Sequence, residues 1–248
     1  MIIEVCASSL QSALNAQTGG AARVELCDNL YEGGTTPSAA TIVLAGEKLK
    51  IGLNVLIRPR GGDFVYSDLE FDIIKRDIEF CKQAGCDGVV IGFLKTDGTI
   101  DKEKTAEAIE IARPMSITFH RAFDMTRDPF ESLDQLLILG IDRLLTSGQK
   151  NKAPDGKELI RDLVKNAGEK LIIMPGSGIN EENISMMHKF TGAKEFHLTG
   201  QVQVESEMKY RKEGIFLGGL SQIPEYTIAI TGINRIRKVV AALNEFSN

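Results

Sequence analysis

Short runs of β-branched and other apolar residues alternate with helix-like patterns along the whole chain. The strand candidates are Ile2–Cys6, Ala22–Cys27, Ile51–Arg58, Asp87–Gly92, Ser116–His120, Arg143–Thr146, Leu171–Met174 and Glu195–Leu198. Each gap between them has room for one helix and two short loops, which is a βα unit. No Asn-Gly or Asp-Gly hairpin signal separates neighbouring strands. The intervening helices carry ordinary start and stop signals. Ser8 or Ser9 can cap Leu10–Gln17, which Gly19-Gly20 ends. Pro37 suits the first turn of a helix running to about Ala45. Ser67 and Glu70 form a capping-box pattern ahead of Phe71–Ala84. Asp101 caps a helix to Ala112, Asp128-Pro129 opens one that Gly140 ends, and Asn180 caps Glu181–Phe190 before Gly192. A last amphipathic stretch, Ile233–Phe246, closes the chain.

Eight strand–helix alternations admit a closed barrel or an open doubly wound sheet. The regular period, the count of eight and the polar strand ends favour the barrel. The expected fold is therefore α/β, a single (β/α)₈ TIM barrel domain over residues 1–248 with a C-terminal helix, and its 248 residues suit that fold. The least regular region, 201–227, predicts a loop excursion after the last strand.

The net charge of −5 and the lack of any basic run argue against nucleic-acid or membrane-surface binding. Glu4 interrupts the first apolar stretch and no basic segment precedes it, which predicts no signal peptide. Four cysteines in a chain of this size read as reduced thiols of a cytoplasmic protein, not as a disulfide framework.

Alternation along the strands places candidate chemistry inside the barrel. With Ile3, Val5, Val24 and Leu26 turned to the outer helices, Glu4, Cys6, Glu25 and Cys27 face inward, the same Glu-x-Cys pattern on neighbouring strands. Asn54 and Arg58, Thr118 and His120, and Glu195 and His197 face inward from strands three, five and eight. As a structural network, Glu4 or Glu25 would pair with Arg58, and His197 would bond to Glu195. As a site, ionisable groups from several strands gather at the C-terminal mouth, where barrel enzymes keep their working residues.

The loops add cations and glycine turns. Arg58, Arg60 and Arg121 would make a locally cationic mouth, and Gly176-Ser177-Gly178 follows the seventh strand, where many barrels bind phosphate on backbone N–H groups. This predicts a small anionic ligand. An enzyme acting on a phosphorylated or carboxylated metabolite would use Glu4, Glu25, His120 or Asp124 for proton transfer, with Arg58, Arg60, Arg121 and Gly176, Ser177 and Gly178 holding the anion. Cys6 and Cys27 are either two inert buried thiols or a pair suited to a soft ion such as Cu(I), with His120 or His197 as a further ligand. Cys81, Cys86 and Met186-Met187-His188 read as packing residues.

The segments Arg23-Val24-Glu25-Leu26-Cys27, Glu32-Gly33-Gly34-Thr35-Thr36-Pro37-Ser38, Ile57-Arg58-Pro59-Arg60-Gly61-Gly62-Asp63-Phe64, Thr118-Phe119-His120-Arg121-Ala122-Phe123-Asp124 and Leu145-Thr146-Ser147-Gly148 resemble the CutC family of copper homeostasis proteins, as does Glu4-Val5-Cys6. The resemblance covers essentially the whole chain. It implies a (β/α)₈ barrel, a cytoplasmic location, a homo-oligomer, and copper as ligand, with Cu(I) held at the cysteines that correspond to Cys6 and Cys27. Two places depart from the family pattern. Leu198-Thr199-Gly200-Gln201 stands where relatives often carry a Ser-Ala-Arg-like stretch, and Ser177 stands where they often have a third glycine.

Overall fold

Eight short parallel strands build the core of the computed structural model, which describes residues 1–217 and 223–244. They are β1 (Ile2–Ala7), β2 (Arg23–Leu26), β3 (Gly52–Leu56), β4 (Gly88–Ile91), β5 (Ser116–Phe119), β6 (Arg143–Thr146), β7 (Ile172–Pro175) and β8 (Glu195–Leu198). Their order in the sheet is β7-β6-β5-β4-β3-β2-β1-β8. Every hydrogen-bonded pair is parallel, and β7 and β8 lie side by side without a ladder. The result is a nearly closed (β/α)₈ TIM barrel, as the strand pattern predicts.

The outward-facing apolar residues of the strands, such as Ile3, Val5, Val24 and Leu26, are buried against the helix ring. The ring consists of α1 (Leu10–Gly19), α2 (Ala39–Lys48), α3 (Asp68–Gln83), α4 (Lys102–Ala112), α5 (Pro129–Leu139), α6 (Lys157–Ala167), α7 (Ile184–Thr191) and α8 (Ile233–Asn244). The capping box at Ser67 and Glu70 forms, and Ser9, Asp101 and Asp128 each accept from the first-turn amides of their helices. Two starts differ from the sequence reading. Ser38 caps α2, so Pro37 precedes the cap and lies outside the first turn. Asn180 accepts from the amides of Glu182 and Asn183 in a turn, and α7 begins only at Ile184. The start of α6 has no side-chain cap, which is why no signal marked it. The expected end of the last helix at Phe246 lies outside the described residues.

The excursion after β8 is more regular than a loop. Gln201–Glu205 (β9) and Thr227–Thr231 (β10) form an antiparallel pair, with alternating residues too polar to read as buried strands. Cys81 and Cys86 pack in the outer core beside α3, and Met187 is fully buried on α7.

Candidate functional site

The inward side chains stack in layers. Deepest, toward the strand starts, lies an ion-pair network. Arg23 Nε donates to Glu4 Oε2 at 2.5 Å, and its Nη2 donates to Glu195 Oε2 at 2.7 Å. Arg143 Nε donates to the same Glu195 oxygen at 2.7 Å, while its Nη1 donates to the Ser116 and Thr118 hydroxyls. Asn54 Nδ2 donates to Glu4 Oε2. This arrangement corrects the pairings expected from sequence. Glu195 holds Arg23 and Arg143 and not His197, and Arg58 pairs with neither Glu4 nor Glu25. Glu4 and Glu195 therefore lie beneath the mouth. Burial alone would raise the Glu4 carboxyl, but His197 and Arg23 outweigh it and hold it at about 2.

The next layer carries the cysteines. The register pairs Cys6 with Glu25 across the β1–β2 ladder, and the Cys6 and Cys27 Sγ atoms stand 3.4 Å apart. Both thiols are free and buried. Cys6 Sγ donates to Glu25 Oε1 at 3.6 Å, and Cys27 Sγ to the Ala7 carbonyl at 3.7 Å. The hydrogen bond to Cys27, then burial, push the Cys6 thiol well above its ordinary pKa. Burial pushes the Glu25 carboxyl up to about 7, with His197 opposing and the Glu4 charge adding to the rise. Glu25 Oε2 has no hydrogen-bond partner.

His197 projects from β8 into the same layer. Its Nδ1 lies 2.8 Å from Glu4 Oε1. Because Glu4 is a carboxylate, Nδ1 carries the proton and donates, so Nε2 is the nitrogen left for the cavity. Burial works against the imidazolium, but Glu25 and Glu4 outweigh it and raise the His197 pKa. Ligand atoms of Cys6, Glu25 and His197 all lie within 4.8 Å of one another. Cys27 and His120, also expected as metal ligands, are outside this cluster, although the Cys27 sulfur touches that of Cys6.

Above these residues opens a cavity of about 490 Å³, a size typical of small-molecule sites. Cys6, Glu25, His197, His120, Arg58 and Arg121 all border it. His120 Nδ1 accepts the Ala122 amide, so the ring proton is on Nε2, and that nitrogen has no partner. Burial, then the Arg58 charge, drive the His120 pKa down to about 3, leaving the ring neutral. Glycine at position 92, at the end of β4, makes room for this ring: a Cβ there would overlap the His120 imidazole.

The remaining sequence candidates are distributed unevenly. Arg60 does not border the cavity. It ion-pairs with Glu70 at 2.5 Å and with Asp63 at 3.1 Å, and its guanidinium lies over Tyr66. Arg121 does border it, tied to Asp124 and the Ser147 hydroxyl. Asp124 is a loop clamp, accepting from the Thr146 and Ser147 hydroxyls and the Ser147 and Gln149 amides. A carboxylate so fully engaged is held for structure, not positioned to move a proton. Of the four proton-transfer candidates, only Glu25 and His120 reach the cavity. Ser177 and Gly178 border it as well, with Ser177 in the left-handed region at φ 74° and its hydroxyl donating to the Asn151 carbonyl. Gly176 sits behind them, where a Cβ would overlap Leu145 and press on His197.

Sequence reasoning missed Arg23, although it shares the inward parity of Glu25 and Cys27, and Arg143, on a strand from which no inward residue was selected. It also missed Leu30, Phe64 and Arg235, which reach the cavity from loops and from α8, where no strand period applies.

Comparisons with known proteins agree with one another. A model of the CutC family matches residues 1–202. A family protein CutC of Chromobacterium violaceum is 46% identical over 244 residues, covering 98% of each chain. The copper homeostasis protein cutC homolog of Homo sapiens is 43% identical over 240 residues, covering 97% of this chain and 88% of that one. The crystal structure of a copper homeostasis protein CutC from Streptococcus agalactiae superposes with a TM-score of 0.77 at 37% identity, covering 80% of this chain and 98% of that chain.

Proposed function

The chain belongs to the CutC family, and from that premise we propose that it serves copper homeostasis by holding Cu(I) between Cys6 and Cys27, with the His197 imidazole as third donor. The observation that carries this reading is the 3.4 Å separation of two free, buried sulfurs, one of which, Cys6, stands beside that imidazole. With a metal–sulfur bond of roughly 2.3 Å, this spacing corresponds to a sulfur–metal–sulfur angle of about 95°. A linear two-sulfur site would need the sulfurs roughly 4.6 Å apart. The geometry as it stands therefore favours a bent site with another ligand. His197 is the imidazole grouped with Cys6, and with its Nδ1 fixed by Glu4 its Nε2 is the nitrogen that would bind the metal, closing on Cys27 as the ion is loaded.

Two thiolates and an imidazole suit a soft monovalent ion. Glu25 adds a hard oxygen that a divalent ion such as Zn²⁺ would use. Copper here is cargo. The Cys6 thiol holds its proton strongly, so loading releases it and affinity rises with pH. The reading places the protein in the reducing cytoplasm, where such thiols stay reduced. Among the described residues, no helix is long and apolar enough to cross a membrane.

The test is competition for Cu(I) against a chromophoric chelator, using wild type and the Cys6→Ser/Cys27→Ser double variant. The expected result is loss of tight binding in the variant. Equal affinity in the two proteins would remove Cu(I) from this site, and tighter Zn²⁺ than Cu(I) binding that depends on Glu25 would reassign the metal.

A further inference from the structure

We propose that the cavity wall made by Arg58, His120 and Phe64 is a binding site for a small organic carboxylate, distinct from the thiol pair. The proposal does not depend on the copper reading.

The first observation is a buried charge without a counter-ion. Arg58 is 4% exposed and borders the cavity. Its Nη1 donates to the carbonyls of Glu32 and Gly34, and its Nη2 to that of Gly62. These three neutral oxygens fix the guanidinium, and its Cζ lies over the Phe64 ring, 5.1 Å from the centroid. Among the described residues no carboxylate pairs with it, and its Nε has no partner. Other arginines near the mouth are neutralised: Arg121 by Asp124, Arg235 by Glu181, and Arg60 by Glu70 and Asp63. A buried cation held only by dipoles is costly unless an anion joins it.

The second observation is an orphaned donor beside it. The neutral His120 ring is 5% exposed and borders the same cavity, and its Nε2–H, itself buried, has no acceptor. Its ring packs on Phe64 with centroids 4.9 Å apart, so one aromatic side chain buttresses both the imidazole and the guanidinium. Neither polar group is accidental in its setting. The guanidinium is pinned by three carbonyls, and the imidazole stands where only glycine at position 92 admits it.

The ligand class follows from what these groups offer. One unneutralised cation and one neutral N–H donor suit a planar monoanion with two oxygens. A phosphate dianion is ordinarily held by several backbone N–H groups or more than one cation. The cavity is far larger than an ion, and Leu30, Leu56, Leu145 and Ile179 give it an apolar wall for the body of the ligand. A carboxylate carrying a short apolar group matches both halves.

The probes are sodium acetate, sodium benzoate and inorganic phosphate, titrated at matched ionic strength into the full-length ¹⁵N-labelled protein. The readouts are the His120 ring-nitrogen resonances and calorimetry. Acetate and benzoate are expected to move the His120 Nε2 signal saturably, benzoate the more tightly, and phosphate to leave it unmoved. Loss of a hydrogen bond to a charged ligand in His120→Phe should weaken benzoate about tenfold or more. That variant keeps the ring that packs on Phe64, and its thermal melt checks that it folds. Arg58→Gln should abolish binding, but Arg58 also pins two loops, so His120→Phe is the deciding variant. Acetate is small enough to enter any such site, so the absence of a saturable shift from both carboxylates would overturn the proposal. So would tighter binding of phosphate than of acetate, or unchanged benzoate affinity in folded His120→Phe.

Discussion

Glu4 Oε1 and His197 Nδ1 lie 2.8 Å apart, joined across the β1–β8 ladder near the bottom of the cavity. The carboxylate sets the tautomer, so the imidazole can face a metal only through Nε2. Removing the charge with Glu4→Gln leaves the thiols in place but frees the ring to turn. Cu(I) affinity is expected to fall about 10–100-fold, the usual effect of losing such an outer partner. Chelator competition measures it, and wild-type affinity in the variant would mean that His197 is no ligand. The same change leaves Arg23 with one carboxylate fewer, so a lower melting temperature should accompany it.

Four buried groups shape the pH dependence of stability. Glu4, held at about 2, adds stability as pH rises from about 2 to its ordinary value of 4.5. His120, lowered to about 3 by burial and Arg58, adds stability from there to its ordinary value of 6.5. Glu25 has the opposite sign. Raised to about 7 by burial, it removes stability as pH climbs from 4.5 to 7. The raised His197 also loses its contribution above 6.5. Wild type should therefore lose stability steeply below pH 4.5, stay nearly flat to 6.5, and decline above. In Glu25→Gln the flat region should become a rise of about 2 to 3 kcal/mol. Urea unfolding at a series of pH values gives the curve, and an unchanged plateau in that variant would contradict the assignment.

Gly92 tests the packing behind His120. In Gly92→Ala the new methyl overlaps the imidazole, which must shift off its bond to the Ala122 amide. A stability loss of about 1 to 3 kcal/mol is expected, the ordinary cost of overpacking. Benzoate binding should weaken while Cu(I) binding at the Cys6–Cys27 pair stays intact. Loss of both together would show that the two halves of the cavity are not separable.

The barrel and its inward faces were legible because strands alternate and the helices carry caps and stops. Glu4, Cys6, Glu25, Cys27, Asn54, His120, Glu195 and His197 all turn inward as the alternation requires. Arg23 escaped notice because an arginine opening a strand reads as its solvated edge, although it shares the parity of Glu25. Arg143 escaped for the same reason. Arg60 was expected at the mouth as a cation of the loop after β3, where no period fixes direction, and it instead pairs with Glu70 and Asp63. Partner choice inside the barrel was not legible either. Which acid holds which base depends on strand stagger, and that places Arg23 within reach of both Glu4 and Glu195.

The seam between β7 and β8 gives the wall a particular mechanical character. Main-chain ladders bind every other neighbour in the sheet, but no ladder joins these two edges. It is the one line along the barrel where staves can part without breaking a backbone hydrogen bond. His197 stands on one lip and Gly176 on the other, so the line runs directly past the His197 imidazole. The wall is thus least tied by its main chain at the place where the His197 ring lines the cavity.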